Sequence, residues 1–511
     1  ISKWVRLGVM TELTNRSVGT SSAALAGGGA EFRWTRRHVL ALAVLCLAAL
    51  LDTIDVTVVN VAMPAIRNSL HFSESGLAWM VDAYMVPFGG LLLLGGRTGD
   101  MLGRRRVLIA GTGVFAAASL ASALAPSAAV MIVTRAAEGA AAAFVVPMTL
   151  AMLSSVFPAG PARNRAFAVW GGISAAAGTL GLIIGGVLVS AAGWRWIFLV
   201  NIPLGLVVMV AALRVLPADG KSRNRGIRDM DFGGAVSVTA AASLLAYAVA
   251  QTSGDAWGSA RTVGLLSAAA AAAGYFVVHE RWIARSPLMP LSLWGNRSVS
   301  GANAVSALLA SAMFAVFYST TLYMQDVLGY SALRTGLAYV PFGLSILVAA
   351  GAASALVSLL GIRLTSVAGS VVALAGLVLL ARVPAGGHLV TDIILPTVTV
   401  GLGAGAVIVP TSIAAMSGGS AAHGVASALL NVSRQLGGAI GLAVIATVAA
   451  ASTARSLAAG HASATALTGG FHAGFAVSGV LVIVSVLVSA ALLREDGRGE
   501  RINLIALQAG Q

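Results

Sequence analysis

The sequence has 511 residues, of which 58% are hydrophobic and only 10% are charged, and its formal net charge is +14. Ordinary soluble domains carry about 25% charged residues, so this composition excludes most soluble classes and favours many membrane-spanning segments. The basic residues lie in short clusters between apolar runs, a distribution typical of membrane proteins that argues against nucleic acid as a partner.

Fourteen apolar segments follow a basic tail at residues 1–38, which we expect to be disordered. Each segment is close to the roughly 20 residues that a helix needs to cross the hydrocarbon core of a bilayer. The sequence therefore predicts an all-α polytopic membrane protein with fourteen transmembrane helices. The predicted spans are 39–61, 76–96, 106–125, 129–153, 166–190, 195–215, 232–252, 261–280, 299–323, 335–357, 364–382, 391–415, 427–450 and 472–493.

The distribution of basic residues predicts the orientation. An even number of crossings puts both termini on one side of the membrane. With the N-terminus inside, 25 of the 32 Lys and Arg residues are cytoplasmic, 6 are outside, and Arg135 lies within the membrane. Cytoplasmic loops carry an excess of Lys and Arg, so we expect both termini to be cytoplasmic.

An internal repeat predicts the domain organisation. The segment 102–111 shares its Leu-Gly, Arg and Gly positions with 360–369, and Ala-Phe-Val-Val-Pro at 143–147 resembles Ala-Val-Ile-Val-Pro at 406–410. Helices nine to fourteen therefore repeat helices one to six, and two repeated bundles are a common plan of transporters. The predicted parts are a cytoplasmic tail 1–38, a six-helix bundle 39–215, two inserted helices with cytoplasmic loops 216–298, a second six-helix bundle 299–493 and a cytoplasmic tail 494–511.

Five ionisable residues lie at membrane depth in helices one, two and four. At about 1.5 Å per residue, all of them fall roughly 6–14 Å below the outer surface and form one layer. Four carboxylates near one cation cannot all stay ionised cheaply, so the layer predicts reversible proton binding, with the proton as coupling ion. The alternative is a static salt-bridge cluster that holds three helices together. The five residues are Asp52, Asp55, Asp82, Arg135 and Glu138.

The loop GGRTGDMLGRRR at 95–106 is a second candidate site. Its glycines permit a tight turn and the close approach of a neighbouring helix, and its arginines can reach carboxylates or helix C-terminal carbonyls. We predict a cytoplasmic gate here; the alternative is a simple positive-inside anchor. The gate residues are Gly96, Asp100, Gly103, Arg104 and Arg105.

Glycines also crowd helix five, among them Gly181, Gly185 and Gly186. Small residues let membrane helices pack closely and slide, so these three predict a packing site with a role in transport. Ordinary small-residue packing is the alternative.

Several kinds of site are missing from the sequence. With a single cysteine, Cys46, there is no disulfide framework and no cysteine metal site. We find no zinc spacing, no phosphate-binding Walker loop and no plausible catalytic triad. The sequence therefore predicts neither an enzyme nor an ATP-driven pump, and no metal or other cofactor.

Three further segments carry recognisable motifs. Helix one reads LDTIDVTVVNVAMPAI (51–66), helix four contains RAAEGAAAA (135–143), and WRWIFLVNIPLG (194–205) starts helix six. Together with the 95–106 loop they resemble the fourteen-helix drug:proton antiporters of the major facilitator superfamily, over about 39–495. Two positions depart from that family, since Glu138 replaces a glutamine and Leu182 replaces the proline of the helix-five antiporter motif.

The resemblance implies a major facilitator fold and proton-coupled efflux of drugs or antibiotics across the bacterial cytoplasmic membrane. Asp55 and Arg135 would be the coupling residues, and the substrates would be small, lipophilic and in some cases cationic. A facilitator or proton symporter for a metabolite is an alternative. A membrane receptor or scaffold without transport is another, although it has no need of the ionisable layer.

Overall fold

The computed structural model describes residues 34–158, 160–219, 231–252, 258–284, 287–289, 291–418 and 423–493, and these form helices without any strand. Thirteen of the helical stretches are long and apolar enough to cross a membrane. The structure describes only the last five residues of the predicted tail 1–38. The predicted tail 494–511 lies outside the described residues. We number the helices α1 Arg36–Leu70, α2 Glu74–Leu102, α3 Arg104–Ala123, α4 Ala128–Val156, α5 Pro161–Ala192, α6 Trp196–Val215, α7 Phe232–Gln251, α8 Ala260–Ile283, α9 Arg297–Val327, α10 332–360, α11 362–380, α12 Leu389–Ala415, α13 His423–Ala458 and α14 Ser463–Leu492.

The longest stretch, Ala332–Leu380, is interrupted at Gly361, where φ is +83°. A straight helix of 49 residues would be about 74 Å long, more than twice the roughly 30 Å hydrocarbon core, so we treat its two parts as α10 and α11. Gly103, at the matching place in the repeat, also has a positive φ, of +101°, and separates α2 from α3. Glycine adopts this backbone conformation without steric cost. The count of fourteen crossings and the side of the termini stay predictions.

Short polar caps explain where several helices begin. The hydroxyl of Ser73 accepts a hydrogen bond from the Gly76 N–H, and Ser259 caps α8 in the same way. Asn296 accepts from two N–H groups at the start of α9. Such caps satisfy backbone donors that have no partner within the helix. Most helices extend beyond the predicted apolar spans, and α1 continues to Leu70, because helical hydrogen bonding does not stop where the apolar run stops.

Small residues let the helices that carry the ionisable layer approach closely. The backbone of Tyr84 in α2 lies against Gly139 in α4, and the backbone of Ala143 in α4 lies against Gly95 in α2. Helices α3 and α4 pack together, as do α3 and α6. The side chains that project from α1 and α4 thereby lie among closely packed helices.

The inserted helices contact both predicted six-helix groups. Helix α7 packs against α8, against α2 of the first group and against α13 of the second. The division of the chain into two groups and an insert stays a prediction. We name the two ends of the bundle by residues: the Asp100 end, where α2 ends and α3 begins, and the Asp326 end, where α1 and α9 end.

Candidate functional site

The centre of the candidate site is a buried arginine between two carboxylates. Arg135 Nη1 of α4 lies 2.5 Å from Asp55 Oδ2 of α1 and also pairs with Glu138, one turn along α4. Arg135 is 2% exposed, and both acids are fully buried. The arrangement places two acids around a single cation, so the three formal charges do not cancel when all are ionised.

Asn201 of α6 adds a neutral donor to this centre. Its Nδ2 donates to Asp55 Oδ1 at 2.8 Å and to Ser119 Oγ of α3 at 3.0 Å. Ser119 in turn donates to the Phe198 carbonyl at 3.2 Å. Asp55 is therefore held by α4 and α6 together. Asn201 is not ionisable and was not among the predicted site residues, although a polar residue within a membrane helix was itself a signal.

Tyr84 of α2 links Asp52 to the centre. Its hydroxyl donates to Asp52 Oδ1 at 2.6 Å, and the guanidinium of Arg135 lies 4.4 Å from the centre of its ring. A cation over an aromatic face is attracted by the negative charge density of the ring. The structure thus brings four predicted residues together, with Asp52 joined through Tyr84, which the sequence analysis had not selected.

Asp82 makes no hydrogen bond with the other four residues. It is fully buried, and neither carboxylate oxygen has a hydrogen-bond partner among the described residues. An ionised carboxylate buried without a partner costs several kcal/mol. A static network of salt bridges therefore does not account for Asp82.

Arginines among the predicted gate residues form contacts between helices at the Asp100 end of the first six helices. Arg104 pairs with Asp100 at 2.9 Å and donates to the Ala151 carbonyl near the end of α4 at 3.1 Å. Arg105 donates to the Leu213 carbonyl in the last turn of α6. Arginines at helix C-terminal carbonyls complement the helix dipole. These contacts join α2, α3, α4 and α6.

Asp219, which was not among the predicted site residues, adds a further contact at this end of the bundle. Its carboxylate accepts hydrogen bonds from the Arg105 and Arg106 N–H groups at 2.9 and 3.1 Å, at the N-terminus of α3. The side chain lies against Gly103, where a Cβ would collide with it. Gly96 differs, because a Cβ there would meet only Pro147, at an ordinary 3.9 Å.

The predicted glycines of α5 face two different helices. A Cβ at Gly181 or Gly185 would collide with α1, and a Cβ at Gly186 would lie 2.8 Å from the Ala332 carbonyl oxygen at the start of α10. Gly178, by contrast, has nothing within 4 Å of such a Cβ. The three glycines thus let α5 approach α1 and α10 closely at the Asp326 end.

Comparison with known proteins decides the family. The model of the Major Facilitator Superfamily matches residues 45–442, well over half of the sequence. The chain belongs to the major facilitator superfamily. This confirms the all-helical major facilitator fold and makes the chain a multi-pass transporter of the plasma membrane.

The chain is similar to transport and resistance proteins of Mycobacterium, Amycolatopsis and Streptomyces species. The MFS-type transporter EfpA of Mycobacterium tuberculosis is 37% identical over 402 residues, which are 78% of this chain and 74% of EfpA. The cephamycin export protein CmcT of Amycolatopsis lactamdurans is 36% identical over 91% of this chain and 95% of its own. The puromycin resistance protein of Streptomyces alboniger is 33% identical over 92% and 93%.

Solved structures share the fold of this facilitator. A bacterial homolog of the human lysosomal transporter Spinster aligns with a TM-score of 0.64 at 14% identity, over 91% of this chain and 99% of that one. The nucleoside transporter NupG aligns with a TM-score of 0.61 at 12% identity, over 89% and 100%. At these identities the likeness shows the fold alone.

Proposed function

We propose that this facilitator exports small lipophilic compounds, antibiotics among them, in exchange for protons. Three relatives that it resembles along most of their length are named for cephamycin export, puromycin resistance and lincomycin resistance. Family membership and these names favour a transporter over an enzyme. The single observation that carries the coupling mechanism is the fully buried contact of Arg135 with Asp55 and Glu138.

The centre has the chemistry that reversible proton binding needs. When Arg135 pairs with Asp55, a proton on Glu138 removes the excess negative charge at low cost. A proton on Asp55 removes one of the two charges that attract Arg135, so the arginine can move toward Glu138. Because Asp55 belongs to α1 and Arg135 to α4, such a change alters the force between two helices.

The predicted orientation assigns the two ends of the bundle to the two sides of the membrane. With the termini in the cytoplasm, the Asp326 end faces outward and the Asp100 end faces the cytoplasm. Protons would reach the centre from outside while the substrate leaves. The Asp100–Arg104 pair and the Asp219 contact would hold the first six helices together as a unit during this movement. The substrate, in some cases a cation, would bind between the two helix groups, and transport would need neither ATP nor a metal.

The test is efflux of a fluorescent lipophilic cation, and resistance to puromycin and lincomycin, in a pump-deficient bacterium that expresses the full chain. We expect efflux that a protonophore abolishes and that Asp55→Asn or Arg135→Ala reduces by at least about tenfold, the equivalent of 1.4 kcal/mol. Asp392→Asn is the matched control, because Asp392 accepts a hydrogen bond from His388 N within its own turn.

Other results would point to the alternatives. Efflux that a protonophore leaves unchanged would contradict proton coupling and indicate facilitated diffusion of the substrate down its own gradient. Uptake that depends on the proton gradient would indicate a symporter. Protein that is present in the membrane but moves none of these compounds would contradict the proposed substrates.

A further inference from the structure

An ion pair joins the two predicted six-helix groups at the Asp326 end. Arg67, in the last turn of α1, donates from Nη1 to Asp326 Oδ2 at 2.9 Å and from Nη2 to Asp326 Oδ1 at 2.8 Å. The side chains are 18% and 15% exposed. Two parallel bonds between a guanidinium and a carboxylate form a geometrically specific contact, and partial burial limits its screening by salt.

A neighbouring hydrogen bond strengthens the same contact. Gln325 Nε2 donates to the Val61 carbonyl of α1 at 2.8 Å. Gln325 and Asp326 both belong to the π-helical turn Tyr323–Val327 that ends α9. Turns of this kind are rare and are frequently found at functional sites.

A second pair of helices meets at this end. The Leu333 N–H of α10 donates to Ser190 Oγ of α5 at 3.3 Å, and Gly186 of α5 lies against the backbone at 332–333. Helices α1 and α5 come from the first group, and α9 and α10 from the second. The two groups are therefore closed against each other at the Asp326 end.

We propose that the Arg67–Asp326 pair is the contact that holds this end closed and that it breaks in every transport cycle when the end opens. Its role in transport rests on the proposed function, whereas its effect on the closed conformation does not. Helix α1 also carries Asp55, twelve residues before Arg67, or about 18 Å along the helix. Pro64 lies between them and leaves one carbonyl of α1 without its helical partner, which makes this part of α1 a natural place for bending. Proton binding at Asp55 and separation of Arg67 from Asp326 thus both act on α1.

The experiment measures the distance across the Asp326 end in full-length protein in lipid nanodiscs. Spin labels replace Ser69 in the last turn of α1 and Val390 at the start of α12, in a background that carries Cys46→Ala. We compare Arg67→Ala, Asp326→Asn and the exchanged pair Arg67→Asp with Asp326→Arg. Arg334→Ala is the matched control, because Arg334 lies at the same end and stacks on Tyr330 of its own group, 3.7 Å from the ring centre.

We expect each single substitution to raise the ratio of long to short distances by about five- to tenfold, a range typical of conformational coupling. The exchanged pair should restore the short distance, and Arg334→Ala should leave it unchanged. Unchanged distances in both single variants would overturn the proposal. A shift that the exchanged pair does not reverse would also overturn it, because the effect would then belong to another contact of Arg67.

Efflux measured with the same variants separates this proposal from the proposed function. The labels report conformation without substrate or proton gradient. A shift that the exchanged pair reverses would support the closing contact even if no version of the protein exported the test compounds. Only the proposed function would then fail.

Discussion

Asp55 is the residue on which the candidate site depends. It accepts hydrogen bonds from Arg135 and Asn201 and has no exposure to solvent. A buried ion pair is weak evidence for stability, because the cost of removing two charges from water often exceeds their attraction. The geometry therefore favours charged groups whose ion pairing changes with protonation over fixed ion pairs that only hold the helices together.

Replacing Asn201 tests the hydrogen bond that its uncharged amide donates to Asp55. We expect Asn201→Ala to slow efflux by at least about tenfold, because loss of one hydrogen bond to a charged group costs roughly 1.5–3 kcal/mol. Ser119→Ala should have a smaller effect, since Asn201 keeps its bond to Asp55. The measurement is the initial rate of protonophore-sensitive efflux at equal amounts of protein in the membrane.

Asn303 provides the control for this prediction. It is as deeply buried as Asn201 but lies in α9, where it contacts the Val299 carbonyl and Ser433. An equal loss of efflux in Asn303→Ala would show that burial alone, and not contact with Asp55, explains the effect.

At the scale of single helices, α5 shows how small residues set distances. A Cβ at Gly185 would lie 2.8 Å from Val58 Cγ2 of α1, which is closer than real Cβ contacts allow, and 3.1 Å from the Val58 carbonyl oxygen, which is tighter than most. We expect Gly185→Val to lower the free energy of unfolding by about 1–3 kcal/mol, the usual cost of overpacking. Thermal unfolding of the purified protein in detergent measures the change.

Gly178→Val is the matched control, because the space beside Gly178 is open. Both substitutions introduce the same β-branched side chain into the same helix, so differences in helix propensity cancel. A comparable loss of stability in both variants would contradict the close α1–α5 contact.

The inserted helices α7 and α8 are joined by a charged contact at the Asp100 end. Asp231 caps α7 by accepting from the Gly234 N–H at 2.8 Å, and His279 Nε2 of α8 lies 2.6 Å from its Oδ1. Burial raises the pKa of Asp231, but the Gly234 N–H, Glu280 and His279 favour its charged form. Together they lower its pKa below the ordinary 3.8.

This lowered pKa predicts a pH-dependent stability. A carboxylate with a lower pKa in the folded state stabilises the protein above the unfolded pKa of about 3.9, and its contribution is lost as pH falls through the folded value. We expect Asp231→Asn, which keeps the cap to Gly234, to unfold at a lower temperature than the unmodified protein at pH 7. The difference should shrink as pH falls below about 4.

Thermal unfolding across this pH range is the measurement. Asp231→Ala removes the cap as well, so it should lose about 1 kcal/mol more than Asp231→Asn at every pH. A difference between Asp231→Asn and the unmodified protein that stays constant down to pH 3 would contradict the lowered pKa.

At the scale of the whole molecule, the two six-helix groups are not equivalent. The charged centre lies in the first group, and the position that matches Arg135 in the second is Val398. The buried polar residues of α9 and α12 are hydroxyl and amide side chains, such as Ser306, Asn303 and Thr411. This asymmetry fits proton binding in the first group and a largely neutral surface in the second.

The sequence predicted well those features of the fold that depend on the local pattern of residues. Apolar runs predicted nearly every helix, and the repeat predicted that residues 103 and 361 occupy matching places, where both glycines interrupt a helix. Helix ends were less accurate, as the continuation of α1 to Leu70 shows. The sequence could not show that Asp82 makes no ion pair with Arg135, because depth in the membrane says nothing about direction around the helix axis.

The sequence by itself determined that this protein is a multi-pass helical membrane protein and that its helices one and four carry costly charges at membrane depth. Both follow from local composition, since any apolar run of sufficient length must form a helix in lipid. Only the tertiary structure decided which groups meet. The contacts of Asp55 with Asn201, of Arg105 with Asp219 and of Arg67 with Asp326 span 146, 114 and 259 residues. Contacts over such separations arise from helix packing, for which hydropathy and spacing carry no information.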